Sequence, residues 1–442
     1  MTGKAEPGFR GPIAYLTGEY PRATDTFIQR EVAALRGHGI EVITCSIRRT
    51  GAEHLVGPEQ RTEAQNTFHV IAAAARPLNF LRSHLTAALR SPAGYFRALG
   101  LALKTGAGGA RAQVYQLIYF AEAVVLADFL KRRGVTHLHN HIATASCTVA
   151  MLVQEISGIP FSFTIHGPGI FFEPTIWRID EKIARAKFVV CISNFCRSQA
   201  MIFSDPDQWS KLHIVHCGVE PHRYSAADDG SSKPHDARLL FVGRLAGVKG
   251  LAVLFAAVEQ LLPSFAQLHV TLIGDGPERA AMEREAQARG LGNVVEFVGY
   301  KSQAEVAAAL GQSDMLVLPS FAEGVPVVLM EAMASGIPVI TTRIAGIPEL
   351  VEDGVAGLLV PPGDETALVQ AIARLSGDRP LRVKMGQAGR KKVVADFNLE
   401  KEAEWLAELF KTYAGGGNRP PKRPAQKNTA GAFEATDQEI GL

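Results

Sequence analysis

Short apolar runs alternate with longer segments of helical periodicity along most of the chain. In the first half, the runs that predict strands cover 12–17, 41–47, 136–142, 161–166, 187–193 and 211–216. Such alternation is typical of a parallel sheet that is covered by helices on both faces. The first half therefore predicts one doubly wound α/β domain.

A polar stretch near the middle of the chain, SAADDGSSKPHD at 225–236, has the composition of a linker. Beyond it, the apolar runs that predict strands cover 238–243, 268–274, 294–299, 314–319, 337–342 and 357–360. The chain of 442 residues is also too long for one ordinary core. We therefore expect two Rossmann-like domains, 1–224 and 237–398, which face a central cleft where a ligand binds.

The end of the chain divides into two parts. Residues 399–413 have apolar positions at helical spacing, which predicts a helix that packs back toward the first domain. Residues 414–442 are rich in glycine, proline and charge, a composition that is typical of a disordered tail.

Composition and charge narrow the function classes. The formal net charge of +2 favours neither nucleic acid nor an acidic partner. The cysteines are odd in number and form no CxxC pair, as expected of reduced thiols in a cytoplasm. The N-terminal residues lack the apolar region of a secretory signal, and no uncharged run reaches the ~18–20 residues that span a bilayer. A cytoplasmic protein is expected.

Residues 64–121 differ from the rest of the first half. They contain no Asp or Glu, and basic residues are spaced through apolar and aromatic ones. Basic amphipathic helices of this kind lie on anionic membrane surfaces. The alternative is a helical insertion whose basic face is simply solvated. The sequence leaves both hypotheses open.

Candidate ligand-binding residues follow the strands of the second half. In FVGRLAGVKG, a glycine turn after a strand carries Arg244 and Lys249 before a helical segment. A helix N-terminus offers free N–H groups, so nearby cations complete a site for a phosphate or diphosphate. The turn GDGPE at 274–278 follows one strand and one helix later and should open at the same edge of the sheet.

Two glutamates stand eight residues apart in FAEGVPVVLMEAMASGIPVI. Glu323 lies in the turn after a strand, and Pro326 can start the helix that carries Glu331. Carboxylates at this edge can accept hydrogen bonds from sugar or ribose hydroxyls. The alternative, a favourable interaction with the helix dipole, explains one glutamate better than two.

Together with AGIPELVEDGVAGLLVPPGD, these motifs resemble the family-4 retaining glycosyltransferases of GT-B architecture. The likeness is strong over about 237–400 and weaker in the first half, in ISNFCRSQAM, KLHIVHCGVEPHRY, TIHGPGIF and EYPRATDTFIQREV. Those versions resemble the branch that builds exopolysaccharide and colanic-acid-like repeat units. The resemblance implies sugar transfer from a nucleotide-sugar donor to a lipid-linked or oligosaccharide acceptor, at the cytoplasmic membrane face.

The resemblance also implies roles for particular residues on the donor side. Arg244 and Lys249 would hold the diphosphate, Glu331 would bind the ribose hydroxyls, and Tyr300 would lie beside the base. Residues that would bring backbone amides to the donor are Gly324, Val325, Gly346 and Ile347.

On the sugar and acceptor side, the resemblance implies that His166 and Glu323 are catalytic and that Gly18 and Glu19 lie near the acceptor. The chain departs from the family pattern at Gly169, where Asp is frequent, and at Ala345, where a second glycine is usual. No DxD motif stands in a suitable loop. Fixed cations and helix N-termini can stabilise the departing diphosphate, so no metal or other cofactor is expected.

Three histidines alternate in HLHNHI, so a strand would place His137, His139 and His141 on one face. No fourth ligand for a metal has suitable local spacing, which favours His139 or His141 as a cleft residue instead.

Two other function classes remain open from the sequence. One is a nucleotide-sugar epimerase or a glycosyl phosphorylase of the same architecture. The other is a regulatory or scaffold protein that binds a nucleotide sugar without transferring it.

Overall fold

The structure is a computed structural model that describes residues 11–23, 25–224 and 237–414, together with Gly417 and Arg423. The linker predicted at 225–236, and most of the tail predicted at 414–442, lie outside the described residues.

The first domain is built on a seven-stranded parallel sheet in the order β3-β2-β1-β4-β5-β6-β7. Its strands are β1 (Ile13–Glu19), β2 (Val42–Arg48), β3 (Phe68–His69), β4 (His137–His141), β5 (Phe161–Ile165), β6 (Val189–Cys191) and β7 (Leu212–Ile214). β4 and β5 are buried along their whole length, as expected where helices cover both faces of a sheet.

The second domain is built on a six-stranded parallel sheet in the order β10-β9-β8-β11-β12-β13. Its strands are β8 (Arg238–Val242), β9 (His269–Ile273), β10 (Val295–Gly299), β11 (Met315–Leu318), β12 (Val339–Thr342) and β13 (Gly357–Val360). The strand order reverses between β1 and β4 in the first sheet and between β8 and β11 in the second. Ligands of doubly wound folds bind outside the carboxyl ends of the strands at such points.

Helices surround both sheets. In the first domain they are α1 (Thr26–Gly37), α2 (Pro58–Asn66), α3 (Val70–Ala74), α4 (Pro77–Arg90), α5 (Pro92–Thr105), α6 (Ala110–Arg132), α7 (Ala145–Ser157), α8 (Gly169–Phe172), α9 (Ile179–Arg185) and α10 (Asn194–Ile202). The helices of the second half of the chain are α11 (Leu251–Leu261), α12 (Arg279–Ala288), α13 (Gln303–Gln312), α14 (Val327–Ala334), α15 (Ile347–Leu350), α16 (Glu365–Gly377), α17 (Arg379–Asp396) and α18 (Leu399–Ala414).

α18, the last helix among the described residues, returns to the first domain. Leu406 and Phe410 on its buried face join a separate apolar cluster with Tyr15 of β1 and Val32 of α1. The chain enters this helix at Asn398, which forms a parallel bridge with Val219. One side of the first sheet is therefore covered in part by α18.

The acid-free region, residues 64–121, contains the short strand β3, the helices α3, α4 and α5, and the first half of α6. α6 packs against α4, α5 and α7. Among the described residues it is the one helix that is long and apolar enough to cross a membrane, and half of its most apolar window is buried inside the protein.

The two domains contact one another at the N-terminus of α10. Ser193 Oγ caps the start of α10 by accepting from the Cys196 amide at 3.1 Å. Glu349 of the second domain accepts from the first two amides of the same helix, those of Asn194 and Phe195, at 2.8 Å each. A carboxylate at a helix N-terminus is stabilised by the free N–H groups and the dipole, so this contact helps to fix the domain orientation.

Candidate active site

A cleft of about 520 Å³ lies between the two domains. Residues that follow β8, β9 and β11 line one wall, and residues near α1 and after β5 line the other. The residues assigned to the site from the sequence that line this cleft are His166, Arg244, Lys249, Tyr300, Glu323, Gly324, Val325 and Glu331. The carboxyl edges of both sheets thus bring the candidate residues together.

The glycine turns after β8 and β9 pack against each other. Gly274 has a φ of +134°, and a Cβ on it would lie 1.9 Å from the Gly243 carbonyl oxygen. The Leu245 amide donates to the Asp275 carbonyl at 3.0 Å. Only glycine combines this backbone conformation with so close an approach. The second turn therefore supports the first, which carries Arg244 and Lys249 on the cleft side.

Lys249 and Glu323 form an ion pair on the floor of the cleft. Lys249 Nζ lies 2.6 Å from Glu323 Oε1, and the Ser320 hydroxyl donates to the same oxygen at 2.7 Å. Both charged side chains are mostly buried, with 20% and 10% of their areas exposed. An ammonium group has three donors, so this pair leaves Lys249 able to bind an anionic oxygen as well. The pair also fixes where the Glu323 carboxylate points.

Arg244 and Tyr300 occupy the neighbouring part of the cleft. Arg244 is exposed. The Tyr300 ring lies 5.4 Å from the His54 ring of the first domain, between centroids. Burial, followed by the nearby Asp275 carboxylate, raises the pKa of Tyr300 above its ordinary value. A half-buried aromatic ring beside a cation offers a surface on which a base can stack.

Glu331, on α14, is buried in a hydrogen-bonded cluster of side chains that the sequence does not reveal. Its Oε1 accepts from Arg30 Nη2 at 2.6 Å and from the Tyr224 hydroxyl at 3.0 Å. Arg30 belongs to α1 of the first domain, and its Nε donates to Gln303 at 3.1 Å. Burial alone would lower the pKa of Arg30, but Glu331 and Tyr224 raise it above its ordinary value. The ion pair of Arg30 with Glu331 thus joins the two domains at the edge of the cleft.

The sequence alone does not single out Arg30. It is a charged residue in the helix whose apolar positions include Ile28, Val32 and Leu35, and it is as well buried as they are. A charged residue is almost never buried unless it is paired, but the sequence does not reveal a partner 301 positions away.

His166 and Gly324 meet across the cleft. A Cβ on Gly324 would lie 2.0 Å from the His166 carbonyl oxygen and 3.1 Å from the Gly167 Cα. The backbone of the second domain therefore approaches that of the first too closely for any side chain. This contact holds Glu323 and His166 on facing walls.

Two of the three alternating histidines differ from the expectation. His139 and His141 are fully buried and do not belong to the cleft lining; His141 instead lies behind His166, 2.7 Å from its Nε2. His139, His141 and Glu31 bring potential metal-ligand atoms within 4.8 Å of one another. Both nitrogens of His139 are hydrogen-bonded, to Ser162 at 2.7 Å and Thr164 at 2.9 Å. Hydrogen bonds therefore satisfy these buried rings.

Four predicted site residues lie outside the described lining of the cleft: Gly18, Glu19, Gly346 and Ile347. The loop after β1 enters the cleft slightly later, at Arg22 and Ala23. The Gly346 amide donates to the Gly324 carbonyl at 3.2 Å, and the Ile347 amide donates to Ile344 at 3.0 Å. The roles suggested for these residues remain predictions.

The departure at Ala345 has a structural counterpart. Its φ of 46° lies in the left-handed region, which costs a residue with a Cβ about 1 kcal/mol or more. The turn before α15 thus keeps the conformation that suits glycine, although alanine stands there.

Two facing Rossmann-like domains with a cleft between them are the GT-B fold. Residues 227–392 match the family model described as glycosyl transferases group 1, and residues 107–223 match glycosyltransferase family 4. Together the two matches cover well over half of the chain. The chain is thus a glycosyltransferase whose second half matches group 1 and whose first half matches family 4.

Two of the similar proteins are named for bacterial polysaccharide biosynthesis. Amylovoran biosynthesis glycosyltransferase AmsK of Erwinia amylovora is 36% identical over 211 residues, which are 46% of this chain and 51% of AmsK. The chain thus spans about half of that relative. The putative colanic acid biosynthesis glycosyltransferase WcaL of Escherichia coli K12 is 28% identical over 421 residues, 90% of this chain and 99% of WcaL.

Solved structures share the fold. Sucrose-phosphate synthase from Thermosynechococcus elongatus superposes with a TM-score of 0.69 at 22% identity, over 92% of this chain and 100% of that one. HepE from Anabaena, in complex with UDP-glucose, superposes with a TM-score of 0.68 at 16% identity, over 90% of this chain and 98% of HepE.

Proposed function

We propose that the protein transfers a hexose, with retention of configuration, from a nucleotide-sugar donor to a lipid-linked or oligosaccharide acceptor in exopolysaccharide biosynthesis. The observation that carries this proposal is the convergence of Lys249, Arg244, Glu323 and His166 on one interdomain cleft. The similarity to AmsK and WcaL supports the polysaccharide context, and the UDP-glucose complex of HepE supports the donor class.

The charges of the cleft suit the departure of a nucleoside diphosphate. Negative charge develops on the leaving oxygens, and fixed cations aimed there stabilise the transition state without reorganisation. Lys249 and Arg244 precede α11, whose N-terminus adds its partial positive charge. This arrangement supplies the electrostatic stabilisation from the protein itself, so the proposed reaction is metal-independent and uses no other cofactor.

Glu323 and His166 would act on the transferred sugar. The Glu323 carboxylate is an acceptor that Lys249 and Ser320 hold in place. Burial, followed by the nearby His141, lowers the pKa of His166 well below its ordinary value. His166 is therefore neutral at physiological pH and can accept a hydrogen bond from a sugar hydroxyl.

The acceptor side would operate at the cytoplasmic face of a membrane. On α4, a groove is lined by four leucines and by Arg82 and Arg90. The leucines are strongly exposed, at 85%, 56%, 52% and 81% for Leu78, Leu81, Leu85 and Leu89. Arg82 is paired with Asp128 of α6 at 2.9 Å, whereas Arg90 forms no ion pair among the described residues. An exposed apolar stripe with arginines beside it suits an anionic lipid surface in both polarity and charge.

The test of the catalytic proposal is the release of nucleoside diphosphate by purified protein from a panel of nucleotide sugars, with and without bacterial lipid extract. Release from one donor that depends on the extract is expected. Donor binding without release under any condition would instead support a regulatory protein. Release that is independent of any acceptor and yields an isomerised nucleotide sugar would support an epimerase.

The membrane proposal is tested by co-sedimentation with vesicles of phosphatidylglycerol and of phosphatidylcholine. The protein should sediment with the anionic vesicles, and Leu81→Glu should abolish this. Ile202→Glu is a matched control, because Ile202 is 67% exposed but lies on α10. Equal sedimentation of both variants would contradict the assignment of the surface.

A further inference from the structure

Four side chains form a hydrogen-bonded series that starts in the core of the first domain and ends at the cleft. The Tyr15 hydroxyl donates to Glu31 Oε1 at 2.7 Å, and the same oxygen lies 3.1 Å from His141 Nε2. His141 Nδ1 lies 2.7 Å from His166 Nε2. Of the four, His166 lines the cleft, whereas Tyr15 and His141 are fully buried.

The order of donors and acceptors in this series can be traced from its inner end. An ionised carboxylate only accepts hydrogen bonds, so His141 Nε2 carries the proton that faces Glu31. An imidazole that carries its only proton on Nε2 has a lone pair at Nδ1. His166 must therefore donate from Nε2, and its remaining nitrogen, Nδ1, is left as an acceptor.

The outer end of the series points to the same assignment. Cys217 lines the cleft, and its Sγ lies 3.6 Å from His166 Nδ1. Burial raises the pKa of the Cys217 thiol, so the sulfur keeps its proton and is a weak donor. The thiol can therefore donate to a lone pair at Nδ1, which agrees with the order traced from the inner end. Phe27 lies against the His166 ring, at 4.6 Å between centroids, and limits its rotation.

We propose that Glu31 and His141 are positioning residues that hold His166 as the neutral Nε2–H tautomer, with the Nδ1 lone pair directed to the cleft as an acceptor for a sugar hydroxyl. The sugar as ligand rests on the proposed function, whereas the tautomer rests on the hydrogen bonds alone. A His166 with the opposite tautomer would present a donor to the cleft, to which a sugar hydroxyl could offer only its oxygen.

The tautomer can be observed without any substrate. Long-range ¹H–¹⁵N correlation spectra of the full chain, labelled with ¹⁵N-histidine, distinguish protonated from unprotonated ring nitrogens. The His166 signals are assigned by their loss in His166→Asn. We expect a protonated Nε2 and an unprotonated Nδ1. A protonated Nδ1, or an equal mixture of the two tautomers, would overturn the proposal.

The role of Glu31 is tested in the same spectra. Glu31→Ala removes the acceptor that orients His141, so the proportion of the His166 Nδ1–H tautomer should rise. Glu63→Ala is the matched control, because Glu63 also accepts from a buried tyrosine, Tyr20 at 3.2 Å, and belongs to another cluster. Spectra of Glu31→Ala that keep the wild-type tautomer would also overturn the proposal.

Kinetics separates positioning from a merely structural role. His141→Leu has neither donor nor acceptor, and its kcat should fall by about 10–100-fold with the donor KM changed less than about 3-fold. His141→Gln keeps an acceptor oxygen and a donor nitrogen on one side chain and should recover most of the loss. Equal losses in both variants, or a loss expressed only in KM, would contradict the proposal. Absence of turnover in the wild-type protein would defeat the proposed function but not the tautomer.

Discussion

Gly324→Ala tests whether the contact between the domains sets the geometry of catalysis. The added Cβ would lie 2.0 Å from the His166 carbonyl oxygen and 2.9 Å from Ile192 Cδ1, both in the first domain. A relaxed contact between carbon and oxygen needs ~3.3 Å, so the atoms must separate by about 1 Å. Because the atoms belong to different domains, the domains can part while each core stays intact.

The expected result is a loss of rate without a matching loss of stability. A misplacement of about 1 Å between reacting groups costs ~100-fold in rate. Initial rates of nucleoside diphosphate release at saturating donor should show this fall, whereas the Tm should change by less than about 4 °C. Gly311→Ala on α13 is the control, since an added Cβ there has nothing within 4 Å. If Gly324→Ala keeps its kcat within about 3-fold, the contact does not set the catalytic geometry.

Three further substitutions have defined outcomes. Arg30→Met leaves the Glu331 carboxylate buried without its cation, so the free energy of unfolding, measured in urea, should fall by ~3–5 kcal/mol. Adding Glu331→Gln to that variant should restore part of this loss. An unchanged urea midpoint in Arg30→Met would contradict the pairing. Burial raises the pKa of Glu122 from 4.5 to about 7, so its contribution to stability is lost as the pH rises between these values. Glu122→Gln should therefore raise the Tm by ~2–4 °C at pH 8 and change it little at pH 4.5, and the opposite pH dependence would refute the assignment. Glu323→Gln keeps an acceptor for Ser320 but loses the charge that pairs with Lys249; kcat should fall ~100-fold, and unchanged turnover would remove Glu323 from the mechanism.

The fold could be predicted from the sequence because it rests on a local pattern. All twelve apolar runs coincide with strands of the two sheets, and the fold class is confirmed. The strand that was missed, β3, consists of Phe68 and His69, and two residues are too few to show a period. β3 is an edge strand of the first sheet and pairs with β2.

The site was predictable where a motif describes one turn and the start of one helix. Lys249 and Glu323 were assigned separately from two such motifs, and the structure pairs them at 2.6 Å. Arg30, Glu31 and His141 were not assigned to their present partners, because those contacts depend on how distant segments meet. Sequence periodicity specifies which face of an element is buried, but not which polar group it meets there.

The most direct test of the central claim is the binding of nucleoside diphosphates, measured by isothermal titration calorimetry with UDP, GDP and ADP. One of them should bind saturably to the wild-type protein, and Lys249→Ala should weaken it at least ~10-fold, since a charge-assisted hydrogen bond is lost. Lys411→Ala, whose lysine pairs with Glu408 on α18 outside the cleft, should bind like the wild type. If no diphosphate binds, or if Lys249→Ala binds as tightly as the wild type, then the cleft is not the donor site.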